Sequence, residues 1–234
     1  MTSTTSPGGA LPLEAVLAGD LAINCWRPAF NHAAIAQLCR ELRAPSHQTA
    51  WATTPWGRTL PRSCVGTDPS SYLSSLELLR TPAVQELDRL FFEPVMALLS
   101  KTFSRPMAHL RLATGQVLPG WALREMASGE GIPFHCEKDW NRVNLIENGT
   151  LLEIDLEPNF QMSFLYSVET ASSGGELQIT GHDDLVTLNA GELLLFNAGC
   201  HRHQIRSTGG SRQRVVLGGF LRLNLNHTSL HCYV

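Results

Sequence analysis

Apolar positions along the chain fall into two textures. Between Phe30 and Leu42, the residues Ala34, Ile35, Leu38, Cys39 and Leu42 recur at the helical period, which predicts an amphipathic helix with one buried stripe. A second helix is expected to open at Pro82, a favoured first-turn residue, with Thr81 as its N-cap. It turns Val84, Leu87, Leu90, Phe91, Val95, Leu98 and Leu99 inward, is expected to kink at Pro94, and ends before Arg105-Pro106. The Trp-, Pro- and Ser-rich stretch from Pro45 to Ser71 reads as an irregular connection.

From about residue 107 the pattern changes to short alternating or wholly apolar runs separated by Gly, Asn, Asp and Pro. Such runs are 109–112, 150–154, 162–168, 176–179, 185–188, 192–196 and 214–217. Short strands at this spacing predict an antiparallel sandwich or barrel. The expected layout is an unordered tail (1–12) and a single domain (13–234). Within that domain, 13–106 is mainly helical support, 107–225 a β core and 226–234 a C-terminal tail.

Composition narrows the function. The chain has 234 residues, 43% of them apolar, and a formal charge of −3, so it can bury a core and lacks the basic balance of a phosphate-neutralising nucleic-acid binder. No run of 18 apolar residues and no signal-peptide pattern is present, so neither a membrane span nor secretion is expected. Six cysteines lie far apart without a CxxC pair, which predicts reduced thiols and a cytoplasmic protein.

Residues suited to metal chemistry concentrate in two β segments. In Gly129-Glu-Gly-Ile-Pro-Phe-His135-Cys-Glu137, an extended backbone turns His135 and Glu137 to one side and Cys136 to the other. In Gly191-Glu-Leu-Leu-Leu-Phe196-Asn-Ala-Gly-Cys-His201-Arg-His203-Gln-Ile205, a buried strand turns and resumes with histidines at two same-face positions. Further on, Arg212 and Arg214 alternate into an apolar strand. A guanidinium at the head of such a strand needs an anionic partner, and with no acid nearby in sequence a ligand carboxylate fits its bidentate fork. Arg212 reads instead as an exposed hairpin residue. Trp121, Arg124, Glu125, Asp139, Trp140 and Asn141 surround the HxE segment and are candidate pocket residues, with Trp140 and Glu125 singled out for substrate.

The order of these pieces resembles the iron(II)/2-oxoglutarate-dependent oxygenases, most of all the prolyl-4-hydroxylase-like branch. Besides the HxE segment, the resemblance rests on 162–168 with Ser173-Gly-Gly-Glu-Leu177, on Leu188–Phe196 leading to His203-Gln-Ile205, and on Gly210-Ser-Arg-Gln-Arg214-Val-Val-Leu-Gly-Gly-Phe220. It implies an α+β chain whose core is a double-stranded β-helix (jelly roll) with N-terminal packing helices. It also implies His135, Glu137 and His203 as ligands of Fe(II), Arg214 as the anchor of the 2-oxoglutarate cosubstrate, and O2 as oxidant. His201 is left as a substitute or supporting group. The implied reaction is hydroxylation of an unactivated C–H bond of a small, charged metabolite such as a free amino acid, with release of succinate and CO2. Halogenating members carry a small residue in place of the carboxylate, so Glu137 favours hydroxylation. Two other readings of the residues remain open: a cupin-type metalloenzyme, although cupins supply HxH plus a Glu, and a non-enzymatic jelly-roll binding module.

Overall fold

The computed structural model describes residues 4–5, 13–61, 81–137 and 152–234. In it the first half supplies strands as well as helices. Helix α1 (Leu13–Leu17) and strand β2 (Ala22–Trp26) precede α2 (His32–Leu42). The side chain of Asn31 accepts from the Ala34 amide at 3.2 Å and so sets where α2 begins, while Ile35, Ala36, Cys39 and Leu42 are buried as the periodicity predicts. A 3-10 turn (Pro45–Ala50) leads into a hairpin of β3 (Ala52–Thr54) and β4 (Gly57–Leu60), where an irregular connection was expected. Gly57 makes this hairpin possible: its φ is +123°, and a Cβ there would meet the Glu125 carbonyl oxygen at 2.3 Å.

The expected second helix is helical from Pro82 to Phe103 in three pieces: α3 (Pro82–Leu87), a π-helical turn (Asp88–Phe92) and α4 (Glu93–Phe103). Thr81 holds the N-cap position without making a side-chain capping bond. Pro94 sits in the first turn of α4, and its missing N–H and ring clash fall on the preceding turn, where the wider π segment takes them up in place of a kink within one α-helix.

Strands β5 (Met107–His109), β6 (Ala122–Met126), β7 (Ile132–His135), β8 (Leu156–Glu169), β9 (Leu177–Ile179), β10 (Leu193–Phe196), β11 (His203–Ile205), β12 (Arg214–Asn224) and β13 (Leu230–Tyr233) complete the described elements. The large sheet runs β1-β2-β10-β8-β12-β6-β4-β3, where β1 is Thr4–Thr5, and β13 and β5 extend it beside β12; the small sheet is β7-β11-β9. Together they form a jelly roll with helices packed on the outer face of the large sheet.

Three expectations are corrected. The described part of 13–106 is mainly helical but is more than support, because β2 pairs with β10 and β4 with β6 inside the large sheet. The segment after 225 is not a tail: β13 pairs with both β12 and β5, and Leu230, Cys232 and Tyr233 are buried. Within the supposed tail 1–12, Thr4–Thr5 pairs in parallel with β2. The run at 185–188 makes only a single bridge, Val186 to Leu177, before a turn; most of the run at 150–154 lies outside the described residues or forms the single bridge from Leu152 to Leu112.

Strand β12 shows how the sheet organises the interior. Its odd-numbered residues Val215, Leu217, Leu221 and Leu223 pack into the core shared with the helices. Arg214 and Val216 lie on the opposite face, toward the small sheet, and line its cavity.

Candidate metal centre

His135 ends β7 and His203 begins β11, and the two are cross-strand partners in that pair. Their ring centroids lie 4.2 Å apart. Glu137 follows two residues after His135 and folds back so that its Oε1 lies 3.2 Å from His135 Nε2 and 3.8 Å from His203 Nε2. One ligand atom from each residue lies within 4.8 Å of the others, and all three side chains are buried. Cys136 turns the other way, as alternation requires, and its thiol donates to the Gly199 carbonyl at 2.9 Å.

The donor set itself fits a divalent cation. His135 Nδ1 lies 2.7 Å from the Pro133 carbonyl and His203 Nδ1 lies 2.9 Å from the His201 carbonyl. A carbonyl only accepts, so each Nδ1 carries the proton and each Nε2 turns its lone pair to the centre. Burial works to push the Glu137 carboxyl up, yet its closeness to His135 and His203 and the charge of Arg124 hold it down at about 2. Two imidazole lone pairs and a carboxylate facing one another at these distances need positive charge among them, a shared proton or a divalent cation. The edge of the Phe196 ring meets His203 with centroids 4.9 Å apart at 82°, closing the apolar side of the centre.

His201 is not brought to the centre. Its Nε2 lies 3.1 Å from the Gly19 carbonyl, and it serves His203 through its own backbone oxygen. Arg214 is brought there. It heads β12 opposite Met126, is 7% exposed, and lines the same cavity as His135, Glu137 and His203. Gly175, at φ +79°, leaves space for it: a Cβ there would meet Arg214 Cδ at 2.9 Å. Burial, aided by the charge of Arg124, lowers the guanidinium to about 10, so it stays cationic at neutral pH. Its Nη1 lies 3.8 Å from the Met126 sulfur. Arg212 is exposed, as read from the sequence.

The candidate pocket residues divide. Arg124 projects from β6 into the cavity. Glu125 borders it, but its carboxylate is held by Arg43 at 3.3 Å and Arg58 at 3.5 Å. Trp121 packs in the core and donates its Nε1–H to Asp88 Oδ1 at 2.5 Å, away from the centre. Asp139, Trp140 and Asn141 lie outside the described residues. Sequence reasoning missed the β3–β4 hairpin, whose Thr54, Trp56 and Thr59 form a wall of the cavity. The turn signal Thr54-Pro-Trp-Gly57 between two extended runs was its cue.

A prolyl hydroxylase from Trichoplax adhaerens, solved with a hypoxia inducible factor peptide fragment, superposes with a TM-score of 0.51 over 92% of this chain and 88% of that one, at 11% identity. The fold is that of this prolyl hydroxylase. Among further matches are a Pseudomonas putida prolyl-4-hydroxylase (TM-score 0.45, 15% identity, 90% and 98% coverage) and a 2OG-Fe(II) oxygenase family oxidoreductase from Burkholderia pseudomallei (0.43, 13%, 93% and 93%). The family model described as carrier-protein-independent halogenase WelO5 matches residues 180–234, a stretch that includes His203 and Arg214 and excludes Glu137. No curated protein matches the sequence. No helix among the described residues is long and apolar enough to cross a membrane.

Proposed function

We propose that this oxygenase fold houses an iron(II)- and 2-oxoglutarate-dependent hydroxylase acting on a small molecule. The observation that carries the proposal is the convergence of His135, Glu137 and His203 beside a buried guanidinium, that of Arg214. Two histidines and one carboxylate form the facial set typical of non-heme iron(II), with positions left for co-reactants. A ferrous ion held there supplies oxidation of a C–H bond by O2, coupled to decarboxylation of 2-oxoglutarate, so that one oxygen atom enters the substrate and the other enters succinate.

The protein's own residues do the rest. His135 and His203 are held by the Pro133 and His201 carbonyls in the tautomer that presents Nε2. Arg214 offers its fork to the distal carboxylate of 2-oxoglutarate from a site that burial keeps dry, which strengthens the pairing. Leu165, Phe196 and Val216 exclude water around that carboxylate's path. Glu137 fills the position a halide would need, which supports hydroxylation although the C-terminal match is to a halogenase family. Unpaired thiols at Cys25, Cys39 and Cys232 support a cytoplasmic setting.

Anaerobic titration of iron(II)-loaded protein with 2-oxoglutarate, followed by admission of O2 and assay of succinate over a metabolite panel, tests the proposal. Saturable 2-oxoglutarate binding and substrate-stimulated succinate are expected. Absence of iron-dependent 2-oxoglutarate binding overturns it.

A further inference from the structure

The wall of the cavity that faces the metal ligands is chiefly apolar: Trp56, Met126, Ile132 and Phe220 line it, with the hydroxyls of Thr54 and Thr59 at the hairpin side. Two acids border this cavity among the described residues, Glu125 and Glu137. Glu125 is taken up by Arg43 and Arg58, and Glu137 by the two histidines. Glu125 Oε2 makes no hydrogen bond, but two guanidiniums already offset the charge of that carboxylate, so neither acid presents an uncompensated negative charge to a substrate ammonium group.

The cavity's cations are placed differently, and one of them, Arg58, is turned to the Glu125 carboxylate and lies 4.5 Å from the centre of the Trp51 ring. Arg214 lies deep, beneath the metal ligands, and is accounted for by the cosubstrate. Arg124 lies two pleat positions along the same face of the large sheet, across from Thr59 on β4 and Val216 on β12. It is half-buried, lines both the metal cavity and the hairpin cavity, and has its guanidinium carbon 5.6 Å from the centre of the Phe220 ring. Stacking on that ring orients the planar group while leaving its edge for hydrogen bonds. Arg124 need not be without other partners for this role, since a guanidinium has five N–H donors.

Resting on the oxygenase reading above, we infer that the substrate is a small anion with an apolar body: Arg124 holds its oxyanion, and Trp56, Met126, Ile132 and Phe220 receive the rest. Among the described lining residues an amino acid's ammonium group meets only acids already paired with arginines or histidines, so an acid without an amine is preferred to the free amino acid.

The test is calorimetric titration, under argon, of the iron(II)- and 2-oxoglutarate-loaded protein with four probes sharing one frame: 3-phenylpropionate, phenylalanine, 3-phenylpropan-1-ol and 3-phenylpropylamine. The carboxylate is expected to bind tightest and the amine weakest. Arg124→Gln is expected to lower 3-phenylpropionate affinity by about tenfold or more, the loss of one charge-assisted contact, and Arg124→Lys by less. Affinity for 2-oxoglutarate, measured on the same variants, is expected to fall far less than 3-phenylpropionate affinity and shows that they are folded. Amine binding as tight as carboxylate binding, no binding by any probe, or an equal loss of 2-oxoglutarate affinity in Arg124→Gln overturns the inference alone. Failure of the unaltered protein to bind 2-oxoglutarate overturns the oxygenase reading first, and the substrate inference with it.

Discussion

His203 lies directly opposite His135 across the β7–β11 pair, so two ligands 68 residues apart in sequence become nearest cross-strand neighbours. Register, rather than loop flexibility, sets their separation. A one-residue slip in either strand would turn one imidazole out of the interior. A preformed donor set of this kind binds metal without reorganising the chain, and bound metal stabilises the folded state by mass action. At one hundred times the dissociation constant this amounts to about 2.7 kcal/mol, or a rise in Tm of about 5–10 °C for a chain of this size. Thermal unfolding with and without Co(II) or Mn(II) should show that rise in the unaltered protein and none in His203→Ala. An equal rise in both would remove His203 from the centre.

Arg214 offers a sharper test than charge removal. Arg214→Lys keeps the positive charge but replaces a planar fork with a point donor on a thinner stem. Anaerobic calorimetry should show 2-oxoglutarate affinity falling by about tenfold in the lysine variant and further in Arg214→Met, since charge-assisted contacts contribute about 1.5–3 kcal/mol. Equal affinity in Arg214→Lys and the unaltered protein would assign the cosubstrate carboxylate to another group.

The sequence made the centre legible because its chemistry is local. HxE on an extended strand places two donors on one face by alternation alone, and a histidine after a buried strand and a Gly turn marks the third. Which of His201 and His203 serves was settled only by packing: the ring of His201 is drawn to Gly19, a backbone oxygen 182 positions away, a long-range contact that no local pattern encodes. The role of Glu125 was hidden for the same reason. Its partners Arg43 and Arg58 lie on α2's C-cap and on β4, and only the sheet register brings them together. The β3–β4 hairpin was masked by prolines and tryptophans that resemble loop composition, while its turn depends on a single glycine conformation.

Asp88 carries a pH dependence. Burial raises its carboxyl above the ordinary aspartate range, partly offset by the hydrogen bond from Trp121. The folded protein therefore holds this proton more tightly than the unfolded chain, so the contribution of Asp88 to stability is greatest at low pH and falls as pH rises from about 3.8 through the raised value. Asp88→Asn keeps an oxygen to accept from Trp121 and removes the charge. Urea midpoints should be higher for the asparagine variant at pH 7, with the difference shrinking toward pH 4. A constant difference across that range would show that the charge of Asp88 is not its source.

Arg43 closes α2 and binds three strand-associated groups at once: Glu169 at 3.0 Å, Gln213 at 2.9 Å and Glu125 at 3.3 Å. Because Gln213 directly precedes Arg214, this contact also fixes the start of the strand that bears the proposed cosubstrate anchor. Arg43→Ala leaves the buried Glu125 carboxylate to Arg58 alone, and its Oε2 already lacks a hydrogen bond. Stripping one partner from a buried ion pair costs about 3–5 kcal/mol, a fall in Tm of about 6–20 °C at this chain length. Glu125→Gln in the same background removes the stranded charge and should restore a large part of the loss, a coupling that a double-mutant cycle by urea unfolding measures directly. If the two variants unfold at the same urea concentration, the destabilisation comes from lost packing at the end of α2, and the buried charge of Glu125 plays no part in it.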